Sequence, residues 1–133
     1  MSIKMPVPDA GVLSRRDEII AALRRIVPGE GVISSAAEMV PYESDALNSY
    51  RQPPMVVVLP DTTEQVAQVL KYCHDNGIRV VPRGSGTSLS GGSLPLADAV
   101  LLGMGKFKRI REIDFGNRVV VTEPGVTNLA ISQ

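Results

Sequence analysis

Hydrophobic residues in this chain fall into blocks with two kinds of spacing, extended and helical. An unbroken, mostly β-branched run at residues 55–59 predicts a strand buried on both faces, as in a parallel sheet. Apolar residues then recur at helical spacing from Thr62, which forms a capping box with Gln65, to Asn76-Gly77, which closes the helix. Residues 78–81 form a second buried strand, so this part of the chain predicts a right-handed βαβ unit.

Weaker patterns flank this unit on both sides. Before it, an apolar face within residues 19–27 predicts a helix that Ser14 caps and Pro28-Gly29 ends, and a short strand follows at 32–33. After it, residues 99–102 predict a third strand.

The last part of the chain changes to an antiparallel pattern. Past Lys106, residues 110–114 and 118–122 predict two strands joined around Phe-Gly-Asn at 115–117. Residues 127–131 then start another helix. A second subdomain is therefore expected to begin after the third strand.

Composition places the chain among globular proteins and argues against several functions. Hydrophobic residues make up 44% and charged residues 21% of 133 residues, and the formal net charge is zero, so there is no basic excess for nucleic acid. The single Cys73 excludes an internal disulfide and is predicted to be buried, while the neighbouring His74 is predicted to lie on the surface. No apolar stretch approaches the ~20 residues of a membrane span. We therefore expect a cytoplasmic protein with no metal site, nucleic-acid partner or membrane span.

Residues 82–92, Pro-Arg-Gly-Ser-Gly-Thr-Ser-Leu-Ser-Gly-Gly, form the most informative segment, because this loop directly follows a buried strand. Glycines let backbone N–H groups approach a ligand, hydroxyl groups donate to phosphate oxygens, and Arg83 adds a fixed positive charge. Flexible linkers have a similar composition, but ligands bind beyond the carboxyl ends of strands in open α/β sheets, which favours a phosphate site. Two familiar motifs do not fit: no lysine follows Gly92 until Lys106, and Leu89 stands where the dinucleotide fingerprint needs glycine.

This loop, the strand–helix unit before it and the segment Val-Thr-Glu-Pro-Gly-Val at 121–126 resemble the FAD-binding domain of the vanillyl-alcohol oxidase and p-cresol methylhydroxylase superfamily. Within that superfamily the chain is similar to the flavoprotein subunit of glycolate oxidase and to D-lactate dehydrogenase. The resemblance implies an α+β fold, in which a small parallel βαβ subdomain with flanking helices precedes the start of an antiparallel β subdomain. Residues 1–54 would then be an N-terminal helical lead-in, 55–105 the first FAD-binding subdomain and 106–133 an incomplete second one.

The resemblance also implies that FAD is the cofactor and that the Pro-Gly pair at 124–125 lies along the flavin. Together, the loop and this pair give the predicted cofactor-binding residues: Pro82, Arg83, Gly84, Ser85, Gly86, Thr87, Ser88, Gly91, Gly92, Pro124 and Gly125. Members of the superfamily that hold FAD covalently through this loop have a histidine where this chain has Thr87. The cofactor is therefore expected to be bound non-covalently.

The resemblance implies that the chain is the N-terminal FAD-binding portion of an oxidoreductase that oxidises a D-2-hydroxy acid, of the glycolate or D-lactate type, to the 2-oxo acid. The lone histidine is predicted to lie on the surface, so no catalytic residue is assigned and the 133 residues alone are expected to be inactive. The hydroxy-acid substrate is expected to bind through a C-terminal domain absent from this sequence, and the exposed sheet edge is expected to favour self-association.

Two alternatives stay open. The first is a non-catalytic flavin- or nucleotide-binding module or fragment. The second is an enzyme with another substrate on the same scaffold, such as a cell-wall precursor reductase.

Overall fold

The computed structural model of the protein describes residues 5–47 and 49–133. Its main sheet has four strands in the order β1-β2-β4-β3, with β1 antiparallel to β2 and the other neighbours parallel. The strands are β1 Val32–Ile33, β2 Val56–Val58, β3 Arg79–Arg83 and β4 Ala99–Gly103. The strands predicted at 55–59, 78–81 and 99–102 are therefore present as parallel neighbours, and the short strand predicted at 32–33 is β1, which forms an antiparallel edge.

The position of β4 differs from simple chain order, because β4 lies between β2 and β3. All five residues of β4 are buried, as are the three of β2, whereas β3 exposes Arg79 and Pro82. Proline has no N–H for a second neighbouring strand and is tolerated at a sheet edge. The apolar run of β4 thus takes the central place and β3 takes the edge.

In the described residues, four α-helices lie before or within the parallel unit: α1 Ala10–Ser14, α2 Arg16–Ile26, α3 Ala36–Met39 and α4 Thr63–Asp75. The prediction that Ser14 caps the first helix is wrong. The Asp9 side chain caps α1 by accepting hydrogen bonds from the N–H groups of Gly11 and Val12, and Arg15 separates α1 from α2. Ser14 is instead the last residue of α1, where its hydroxyl donates to the Gly11 carbonyl at 2.9 Å, and α2 begins after Arg15 without a side-chain cap.

The predicted start of α4 is confirmed. The Thr62 hydroxyl accepts from the Gln65 N–H at 3.2 Å, and the Gln65 side chain accepts from the Asp61 N–H at 2.7 Å. Both faces of the central strands are covered: one by α2 and α4, and the other by α3 Ala36–Met39 and a short 3₁₀ helix at Val40–Tyr42. Cys73 is buried on the inner face of α4 and His74 is exposed, as predicted.

A second, two-stranded sheet follows the main one. Strand β5 Ile110–Asp114 pairs antiparallel with β6 Val119–Thr122, as predicted, with an irregularity in register between Ile110 and Glu112. The short helix α5 Asn128–Ser132 comes next and is capped by the hydroxyl of Thr127. Within residues 5–47 and 49–133, no helix has the length and apolar character needed to cross a membrane.

Candidate functional site

The glycine-rich loop starts where β3 ends, at the carboxyl edge of the parallel strands. The carbonyl oxygen of Arg83, the last residue of β3, accepts a hydrogen bond of 2.9 Å from the N–H of Met104, which follows β4. The loop after β3 and the turn after β4 are thereby held side by side. In open parallel sheets, this edge is where ligands bind.

A cleft of about 350 Å³ opens at this edge. The loop after β3 and the turn after β4 form two of its walls, and the segment after β6 forms the third. The lining residues are Gly84, Ser85, Gly105, Lys108, Pro124, Gly125, Val126 and Thr127. The structure thus brings together the two segments that were predicted to bind the cofactor, although about 40 residues separate them in the chain.

Two glycines of the cleft leave its space open. A Cβ atom added at Gly84 or at Gly105 would meet no protein atom within 4 Å. Packing within the protein therefore does not demand glycine at either position. The space is available to a ligand that approaches the backbone closely, as a phosphate group does in a glycine-rich loop.

Gly125 is required for a different reason. A Cβ atom there would lie 2.6 Å from the carbonyl oxygen of Phe107 and 2.8 Å from that of Met104. The Gly125 N–H donates to the Phe107 carbonyl at 2.7 Å, so the backbone after β6 lies directly against the turn after β4. This close approach fixes the third wall of the cleft.

Arg83 points beneath the loop. Its side chain is only 9% exposed, and its guanidinium donates to the carbonyl oxygens of Ser44 at 2.7 Å and Pro41 at 3.4 Å. The guanidinium carbon lies 5.9 Å from the centre of the Tyr42 ring. Above it, Gly86 has a φ of +74°, and a Cβ there would lie 2.5 Å from Cζ of Arg83. Arg83 therefore joins the loop to residues 41–44.

The predicted site residues divide into two groups. Gly84, Ser85, Pro124 and Gly125 line the cleft. The remaining seven belong to β3 or to the rest of the loop and do not line it: Pro82, Arg83, Gly86, Thr87, Ser88, Gly91 and Gly92. Within this second part the loop bonds to itself, since the Ser88 hydroxyl accepts from the N–H of Gly92 at 3.1 Å.

The predicted site residues did not include four that line the cleft: Gly105, Lys108, Val126 and Thr127. Gly105 and Lys108 follow the predicted third strand, and the rule that places ligands beyond the carboxyl ends of parallel strands applies to that strand as well. Applied there, the rule would have drawn attention to the turn after β4.

An ionic cluster supports the segment that enters the cleft. Glu123, which is 4% exposed, accepts from the backbone N–H of Arg109 at 2.9 Å and from the side chains of Arg109 at 3.0 Å and Arg111 at 3.2 Å. These hydrogen bonds, the backbone one first, lower the pKa of the Glu123 carboxyl group, and desolvation opposes them. The charged carboxylate fixes the end of β6 immediately before Pro124-Gly125.

The model of the FAD binding domain family matches residues 54–133, which include the loop, the turn after β4 and the segment after β6. The chain belongs to this family. The predicted resemblance is confirmed, and FAD is the cofactor of this domain. The carboxyl-edge cleft of the FAD-binding domain, with its open glycine positions, fits the close backbone approach that a diphosphate needs.

Relatives of known function match nearly the whole chain. The glycolate oxidase subunit GlcD of Escherichia coli (strain K12) is 48% identical over 89% of this chain, and the mitochondrial D-2-hydroxyglutarate dehydrogenase of Bos taurus is 34% identical over 88%. The chain spans 24% and 21% of the length of these two relatives.

A solved structure confirms the predicted fold class. The crystal structure of p-cresol methylhydroxylase with substrate bound matches 98% of this chain and 26% of its own chain, with a TM-score of 0.80 and 22% identity. At that identity the similarity shows the fold.

Proposed function

We propose that this FAD-binding domain serves an oxidoreductase that oxidises a D-2-hydroxy acid, of the glycolate or D-lactate type, to the 2-oxo acid. The observation that carries the proposal is the cleft, in which the loop after β3 and the segment after β6 face each other across open glycine positions. The 48% identity to a glycolate oxidase subunit supports the substrate class. When bound, FAD would supply the hydride acceptor for oxidation of the α-carbon of the hydroxy acid.

The residues of this chain hold the cofactor in this proposal. Gly84 and Ser85 line the cleft, and their backbone N–H groups and the Ser85 hydroxyl would hold the diphosphate by donating hydrogen bonds. Pro124 and Gly125 form the opposite wall and exclude water from that side. Residues 86–92 of the loop, which include Thr87, hold Gly84 and Ser85 in position.

The catalytic groups come from outside these residues in this proposal. Among the residues that line the cleft, Lys108 is the ionisable one, and neither a carboxylate nor an imidazole is present as a general base. The hydroxy acid would then bind a further domain, consistent with relatives about four times as long. The division at residues 54 and 105 is part of the proposal, as is a cytoplasmic location, which fits the buried free thiol of Cys73.

The cleft without a general base also favours a second candidate function, a flavin-binding module without catalysis. The two candidates differ in one assay. A protein that contains these residues together with its substrate domain bleaches the flavin absorbance when D-lactate or glycolate is added without oxygen. A binding module leaves the absorbance unchanged with both acids.

The cofactor site is tested by titrating FAD and ADP into the protein and into two glycine variants. Gly84→Ala adds a methyl group at a residue that lines the cleft, with no protein atom within 4 Å of it, so we expect about tenfold weaker binding, about 1.4 kcal/mol, and unchanged thermal stability. Gly116→Ala, at the tip of the hairpin outside the cleft, is the matched control and keeps its affinity. Equal affinities for the two variants would place the cofactor elsewhere.

A further inference from the structure

The cleft has one charged wall residue. Of the eight residues that line it, seven are neutral and Lys108 is cationic. Lys108 also lines the adjoining groove of about 280 Å³ between β5 and α5. A diphosphate brings negative charge into this space, and a neutral wall gives that charge hydrogen bonds but no counter-charge.

Other cations around the cleft already have partners. Lys106 pairs with Asp61 at 3.0 Å, and Arg109 and Arg111 both pair with Glu123. Arg83, the cation expected from the sequence, donates to the carbonyl oxygens beneath the loop. Among the ion pairs and side-chain hydrogen bonds found within residues 5–47 and 49–133, none involves the ammonium group of Lys108.

The backbone around Lys108 is fixed on both sides. The carbonyl oxygen of Phe107 accepts from the N–H of Gly125 at 2.7 Å, and the carbonyl oxygen of Arg109 accepts from the N–H of Glu123 at 2.9 Å. The side chain of Phe107 is buried, and that of Arg109 is held by Glu123. Lys108 lies between these two anchored residues, is exposed and lines the cleft, so the position of its backbone beside the cleft is fixed.

We propose that Lys108 supplies the positive charge that contacts the phosphate groups of the cofactor, and that Arg83 holds the glycine-rich loop in place from beneath. This inference rests on the proposed function of the cleft. The phosphate-binding cation is then Lys108, in the turn after β4, and not Arg83, which was expected from the sequence. The lysine ammonium group is a compact point charge on a flexible stem, so it can contact a phosphate oxygen from several directions.

The test compares Lys108→Gln with Lys106→Gln, a matched loss of charge two residues away and outside the cleft. Affinities for ADP and for riboflavin, which lacks phosphate, are measured by calorimetry or by NMR titration at several salt concentrations. For ADP we expect Lys108→Gln to bind about tenfold more weakly, about 1.4 kcal/mol, and with a shallower salt dependence. Lys106→Gln should match the unaltered protein, and Lys108→Arg should retain most of the affinity. Riboflavin should bind all four proteins alike.

Each outcome has a distinct meaning. Equal ADP affinity for Lys108→Gln and the unaltered protein would overturn this inference and leave the proposed function standing. An equal loss in Lys106→Gln would also overturn it, because the effect would then be one of general surface charge. If the unaltered protein bound neither ADP nor FAD, the proposed function would fail and the inference would fail with it.

Discussion

Replacing Arg83 with alanine tests whether this residue is structural, since a surface arginine could be removed at little cost to folding. The guanidinium donates to the Ser44 carbonyl at 2.7 Å, and a hydrogen bond with a charged partner contributes about 1.5–3 kcal/mol. Its position 5.9 Å from the centre of the Tyr42 ring adds about 0.5–1 kcal/mol, while the 3.4 Å bond to Pro41 adds little. We therefore expect Arg83→Ala to lower the free energy of unfolding by about 2–4 kcal/mol.

The measurement is urea denaturation followed by far-ultraviolet circular dichroism. Arg51→Ala is the control, because Arg51 pairs with Glu43 at 3.3 Å with its side chain 77% exposed, and such pairs contribute about 0–1 kcal/mol. Arg83→Ala should shift the midpoint to lower urea at an unchanged slope, and Arg51→Ala should barely move it. If the two variants gave the same midpoint, Arg83 would not hold the loop to residues 41–44.

Three further predictions concern the walls and the core. Gly125→Ala forces a Cβ atom against two carbonyl oxygens, so it should destabilise the protein by about 1–3 kcal/mol in the same denaturation assay. Gly116→Ala is the control and should destabilise it less, because a Cβ atom there would lie 3.4 Å from its nearest protein atom. The pKa of Glu123 is lowered in the folded state, so the contribution of this carboxylate to stability is present at neutral pH. That contribution is lost as the pH falls from the ordinary glutamate range near ~4.3 through the lower folded pKa. Glu123→Gln should therefore lose less thermal stability in acid than the unaltered protein, and identical pH profiles of melting would contradict this. Burial raises the pKa of the Cys73 thiol to about 11, so a disulfide reagent at neutral pH should label Cys73 only after unfolding, and rapid labelling of the native protein would contradict its burial.

The main sheet could be predicted from local patterns because its strands are continuous apolar runs. The run at 55–59 and the run at 99–102 appear as the central strands β2 and β4. Their order in the sheet could not be predicted in the same way, since it depends on which strand can be covered on both faces. Pro82 was the one local sign that β3 would lie at an edge.

The site residues stay a prediction, and the sequence pointed to only part of the cleft. The glycine loop and Pro124-Gly125 carry strong backbone signals, but only Gly84 and Ser85 of the loop line the cleft with Pro124 and Gly125. The direction of the Arg83 side chain depends on residues 41–44, whose pattern is weak and whose carbonyl groups give no signal in sequence. The sequence around Lys108 does not distinguish it from other surface lysines. Its place at the cleft depends on the backbone hydrogen bond between Phe107 and Gly125.

The central claim, that the carboxyl-edge cleft binds the diphosphate of FAD, is tested most directly by mapping backbone amide shifts during an NMR titration with ADP. We predict that the largest shifts fall on Gly84, Ser85, Lys108 and residues 125–127, and that the hairpin tip at 115–117 stays unchanged. Shifts confined to the hairpin tip, or spread evenly over the chain, would contradict the assignment of this cleft as the cofactor site.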